Sequence, residues 1–72
     1  MHYAEWRTAY YSVTLGITTY TYFPGDFAQD RAIRSAQREA AEGYEGSAPV
    51  RVEYATGPDA PVWREYARYE GS

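Results

Sequence analysis

Residues 10–23, Y-Y-S-V-T-L-G-I-T-T-Y-T-Y-F, alternate more regularly than any other stretch of the chain. Tyr11, Val13, Leu15, Ile17 and Phe23 share one parity. Tyr10, Ser12, Thr14, Thr18, Tyr20 and Tyr22 share the other. β-Branched and aromatic residues at period two predict a half-buried strand. The odd face reads as core and the even face as a row of hydroxyls and phenol rings. Fourteen extended residues would span about 46 Å, whereas a globule of this chain length is only about 28 Å across. Relief is expected at Gly16, as a bulge, a kink or a turn; otherwise the far end projects and pairs with something else. A tight two-residue hairpin is disfavoured, since Leu15 or Ile17 would need a positive φ. Residues 1–8 mix Tyr3, Glu5, Trp6 and Arg7 without a clear period, and either extend this strand backward or form an arm.

Pro24-Gly25-Asp26 ends the stretch. Asp26 with Gln29 three residues on predicts a D-x-x-Q capping box. A helix should then run from Phe27 to about Glu42 and stop at Gly43. Its apolar face is made almost wholly of small residues, Ala28, Ala32, Ile33, Ala36 and Ala40, with Tyr44 continuing the line. Arg31, Arg34 and Arg38 form a stripe on the opposite, solvent side. Residues 50–54 alternate again, with Val50, Val52 and Tyr54 on one face. After a turn holding Pro58 and Pro61, residues 62–69 read as a last strand antiparallel to it. Its polarity is ambiguous, Val62 and Tyr66 competing with Trp63, Ala67 and Tyr69. The fold class is therefore α+β: an antiparallel sheet of three to four strands, in the order β(β)-α-β-β, with one Ala-rich helix on one face. The 72 residues form a single domain with a frayed tail at 70–72.

Composition changes this picture in two ways. Cysteine is absent and large aliphatics are few, so aromatic rings must supply much of the core. A net charge of −3 and the absence of Lys argue against a general nucleic-acid binder. No leader-like segment or apolar membrane span is present in the sequence, and a cytoplasmic location is expected.

Candidate chemistry is sparse. The serines have only His2 as a base, Glu39, Glu42 and Glu45 read as a solvated acidic edge, and no phosphate loop is present. No catalytic residue, metal ligand or cofactor is assigned, and an enzyme is not expected. Binding is the better expectation. A sheet covered on one side leaves Tyr10, Tyr20 and Tyr22 together with Arg51, Glu53 and Trp63 as a surface of interface-type residues. A second surface is the Arg31, Arg34 and Arg38 stripe, suited to phosphates or an acidic partner.

A strand region, the helix around Ala32 and Ala40, and a hairpin reading Arg51-Val52-Glu53, Gly57 and Val62-Trp63-Arg64-Glu65-Tyr66 resemble small phage-encoded anti-CRISPR proteins that act on type I Cascade complexes. The resemblance spans residues 17–69. It implies a non-enzymatic inhibitor that docks on the host complex and blocks pairing of guide RNA with target DNA. Members use Lys for that contact; here the Arg stripe would stand in. The alternative reading is a homodimeric module joined through the long first strand or the open sheet face, with nucleic-acid contact through the Arg stripe.

Overall fold

The computed structural model describes residues 4–43, 49–56 and 62–71. Four strands, β1 (Ala4–Ser12), β2 (Ile17–Phe23), β3 (Val50–Thr56) and β4 (Val62–Tyr69), form one antiparallel sheet in the order β2-β1-β3-β4. Among the described residues a single helix, α1 (Ala28–Glu42), crosses one face. This is the α+β arrangement expected, with four strands.

The long alternating stretch is resolved as a hairpin. Residues 13–16 form a four-residue loop, with Ser12 opposite Ile17. Gly16 supplies the positive φ that closes it (φ 72°), and its N–H donates to the Ser12 carbonyl at 2.7 Å. The Ser12 hydroxyl accepts from the Leu15 N–H at 3.1 Å, so a buried polar side chain holds the turn. The strand also begins earlier than residue 10: Ala4 through Ala9 pair with β3, and Trp6 through Ser12 pair with β2.

Two corrections follow from this turn. Ser12 opposite Ile17 pairs even positions of β1 with odd positions of β2. The assumed continuous alternation therefore breaks at the loop, and face membership changes parity. Tyr11, Val13, Leu15 and Ile17 are not core but each more than half exposed; only Phe23 of that set packs against the core. Tyr10 likewise leaves Tyr20 and Tyr22 and turns toward the helix side.

The core is small. Ala32, Ala36 and Ala40 lie on Val50 and Val52, framed by Trp6, Tyr10, Phe23, Ile33, Ala67 and Tyr69. Methyl-sized contacts let the helix approach closely while each removes little area from water. Val50 and Val52 add about 1.5–3 kcal/mol each. The rings make up the deficit, as the scarcity of aliphatics demands. Toward the helix N-terminus, Trp6 meets Tyr54 at 5.5 Å and Tyr66 edge-on at 5.1 Å, and Gln29 Nε2 donates to the Tyr66 hydroxyl at 2.7 Å.

That last bond explains a failed expectation. Gln29 reaches the sheet, so it does not close a capping box with Asp26. The helix starts one residue later than Phe27, and Phe27 itself is the cap, in the left-handed region (φ 59°, ψ 28°) with no side-chain bond. The entry turn is instead tied by Arg31, whose guanidinium donates to the main-chain carbonyls of Pro24 and Asp26. At the other end Gly43 (φ 69°) closes the helix as expected, donating to the Ala40 and Glu39 carbonyls. Tyr44, Gly57, Pro58 and Pro61 lie outside the described residues.

The ambiguous polarity of the last strand has a cause in the pairing. Val52 opposes Ala67 while Glu53 opposes Glu65, so Tyr66 is an extra residue and β4 bulges there. Trp63 falls on the side away from the helix, whereas Ala67 and Tyr69 fall beneath it. Both competing alternations were real, one on each side of the bulge.

One buried group invites repair. Thr8 is buried in the sheet with its Oγ1 lacking a hydrogen-bond partner among the described residues. Thr8→Val keeps the shape and removes the unsatisfied hydroxyl. It should leave stability unchanged or raise it by about 1 kcal/mol, as read by urea denaturation; a loss of that size would mean the hydroxyl is bonded in solution.

Candidate functional site: the sheet face opposite the helix

On the face that α1 leaves uncovered, the odd positions of β1 meet the even positions of β2 and the odd positions of β3. This places Arg7 at the centre, directly opposite Tyr22 on one side and Glu53 on the other. Arg7 Nε donates to Glu53 Oε1 at 2.7 Å, and Arg7 Nη1 lies 3.4 Å from the Tyr22 hydroxyl. Its guanidinium carbon sits 4.1 Å from the centre of the Tyr20 ring and 4.0 Å from that of Trp63. The cation is thus held between two aromatic faces, an arrangement worth about 0.5–2 kcal/mol per ring depending on desolvation.

The rings come from opposite margins of the sheet. Tyr20 and Tyr22 stand on β2 and Trp63 on β4, with two strands between them, yet Tyr22 and Trp63 approach to 6.0 Å edge-on. They form a roof over the ion pair, leaving the Arg7 side chain 13% and the Glu53 side chain 14% exposed. Arg51 reaches the second carboxylate oxygen, Nε to Oε2, at 3.4 Å without the alignment of a hydrogen bond. The arrangement is a charge-neutralised centre under an aromatic cover whose outer surface, chiefly Tyr22 and Tyr20, stays exposed.

Of the residues expected at the sheet surface, Tyr20, Tyr22, Arg51 and Trp63 are brought together here, and Tyr10 is not. Arg7 was missed. Its signal lies in the period of Trp6, Thr8, Tyr10 and Ser12 against Arg7, Ala9 and Tyr11, which continues the strand backward and exposes Arg7 as a charge opposite Glu53.

The helix stripe is less uniform than its spacing suggests. Arg34 pairs with Asp30 (Nε to Oδ2, 3.3 Å) on an exposed surface, a contact worth about 0–1 kcal/mol. Arg31 is turned back onto the Pro24 and Asp26 carbonyls and is engaged in local structure. Arg38 is exposed, and its charge acts on Glu39.

Among the described residues, Glu39 is the carboxyl whose surroundings move its titration. Burial pushes it above its ordinary value of 4.5; Arg38 pulls it back down, and Glu42 adds to the rise. Its Oε2 is buried without a hydrogen-bond partner among the described residues, near the helix C-terminus, where negative charge is disfavoured. A carboxyl with a raised folded pKa binds its proton more tightly in the folded chain. Stability therefore falls as pH rises from the unfolded value through the folded one. Glu39→Gln should raise the melting temperature at pH 7 and lose that advantage below pH 4.5, where the wild-type carboxyl is protonated in both states. Equal gains at both pH values would assign the effect to something other than ionisation.

Among the described residues no three His, Asp or Glu side chains cluster to hold a metal ion, and no helix is long and apolar enough to cross a membrane. No family model matches the chain, and the curated proteins and solved structures likewise give no significant match.

Proposed function

We propose that the protein is a non-enzymatic binding module that docks on a protein partner through the sheet face built around Arg7. The observation that supports this reading is the exposed aromatic cover over a neutralised ion pair. Tyr, Trp and Arg are the residue types that dominate binding energy at protein interfaces. Rings held by their neighbours lose little conformational freedom on docking. Nucleic acid is the poorer fit for this face. Arg7 is committed to Glu53, Glu65 lies opposite Glu53 on the neighbouring strand, and phosphate affinity needs uncommitted positive charge.

The partner to test first is the one the sequence resemblance implies, a type I CRISPR effector complex of a bacterial host, with the protein acting as its phage-encoded inhibitor. The purified effector is immobilised and titrated with wild type, Tyr22→Ala and Arg34→Glu/Arg38→Glu. Docking through the sheet face predicts at least a tenfold loss for Tyr22→Ala, equivalent to about 1.4 kcal/mol or more, and little change for the helix variant. The reverse ranking would move the contact to the helix stripe. Failure of the wild type to bind would remove this partner.

A further inference from the structure

We infer that the protein forms a two-fold symmetric dimer by antiparallel pairing of β2 with β2 of a second copy. This stands independently of the docking proposed above.

The two margins of the sheet are treated very differently. The β4 margin carries the bulge at Tyr66 and the charged residues Arg64, Glu65 and Arg68, devices that discourage further pairing. The β2 margin has none of them. Ile17–Phe23 reads I-T-T-Y-T-Y-F, without charge, proline, glycine or bulge, and no charged residue occurs between Arg7 and Asp26. Among the described residues nothing pairs with the outer side of β2. A strand so unprotected is a template for another strand.

Self-complementarity identifies the occupant. Antiparallel strands related by a two-fold axis keep the same face upward, so odd positions must oppose odd positions and even oppose even. The register that pairs all seven residues centres on Tyr20. It sets Thr19 against Thr21 of the second copy, Thr18 against Tyr22, and Ile17 against Phe23. Thr–Thr and aromatic–β-branched pairs are favourable cross-strand neighbours. Ile17, more than half exposed in the single chain, then packs beside a Phe23 that already borders the core. The helix-side layer then runs across the axis, with threonines at its centre and an Ile17–Phe23 pair at either end.

The same operation lays the hairpin tip of one copy toward the turn before α1 of the other. Val13 and Leu15 are exposed on that tip, and Phe27 is 80% exposed on that turn. Phe27 also holds a left-handed conformation that a bulky residue adopts at a cost. Exposed apolar groups at both ends of one strand thus meet each other, and the uncharged edge brings no like charges together on a chain of net charge −3. A seven-residue strand pair with these flanks falls below the ~800 Å² per partner of a standard interface, so association is expected in the micromolar range.

Sedimentation velocity on the full chain, from about 10 μM to about 1 mM to bracket a weak interface, should show a reversible doubling of mass. Hydrogen exchange at the two ends of that range should show protection rising in β2 and not in β4. Thr21→Lys and Ile17→Lys each alter an exposed helix-side position of β2 and leave the Arg7 cluster untouched. Each should weaken dimerisation at least tenfold, with circular dichroism reporting an unchanged fold. A wild type that stays monomeric at the top of the range overturns the inference. So does a dimer whose affinity survives both lysines, or whose added protection appears outside β2.

Discussion

Arg7→Ala should lower the unfolding free energy by about 3–5 kcal/mol, the cost typical of removing one member of a buried ion pair. The Glu53 carboxylate would remain under the Tyr22–Trp63 roof with only Arg51 nearby, at 3.4 Å and poorly aligned. The guanidinium that separates the Tyr20 and Trp63 rings would also be gone. At about 0.05–0.15 kcal/mol per residue, a chain of this length has roughly 4–11 kcal/mol in total, so the variant should lose between about a quarter and all of its stability. Guanidinium denaturation monitored by Trp fluorescence gives the value. The double variant Arg7→Met/Glu53→Gln should recover most of the loss, because the penalty lies in the orphaned charge rather than in the missing attraction. An Arg7→Ala protein within 1 kcal/mol of wild type would mean the pair is hydrated and the rings do not cover it.

Ala36→Leu is the second large effect, expected at about 1–3 kcal/mol or more. Ala36 is fully buried between α1 and the Val50–Val52 strand, with fully buried Ala32 one turn away. A leucine has no space there unless the whole helix lifts from the sheet, which would also pull Gln29 from Tyr66. Helix propensity cannot account for a loss, since leucine is nearly as good a helix former as alanine. Gln37→Leu, one position on and exposed, serves as the control and should cost little. Wild-type stability for Ala36→Leu would show that the helix rides loosely on the sheet.

Local chemistry was legible in the sequence where one element decided the outcome. The alanines every fourth residue placed the helix face, Gly43 placed its end, and Val50 and Val52 placed the second core strand. What was not legible depended on partners distant along the chain. A loop of four residues after Ser12, rather than a bend at Gly16 alone, set the two strands in opposite parity, so that Tyr10 faces the helix and Tyr11 does not; Val13 and Leu15 fell in the loop, and Ile17 kept the helix-side face but stays exposed there. The pairing of Arg7 with Glu53 spans 46 positions and rests on a strand start that the irregular first residues concealed. Asp26 and Gln29 satisfy a capping pattern by spacing, but Tyr66 offers Gln29 a better-placed acceptor, and Arg31 ties the turn in place of Asp26. At the candidate site the residue types were legible and their centre was not: Tyr20, Tyr22, Arg51 and Trp63 could be named, while the cation they surround could not.

The strand order has a consequence for how the chain must come together during synthesis. β1 is made first, yet it is an inner strand whose second neighbour, β3, is made only after α1. Ala4 finds its partner in Thr56. Until then the early product is a hairpin with both flanks bare and no charge from Thr8 to Phe23, and closing it requires contacts of high sequence separation, which form slowly. The interval between hairpin formation and arrival of β3 is when this protein is most exposed to clumping with its neighbours. Permuting the chain so that β3 precedes β1 would shorten that interval, because β1 would then find its second neighbour already made.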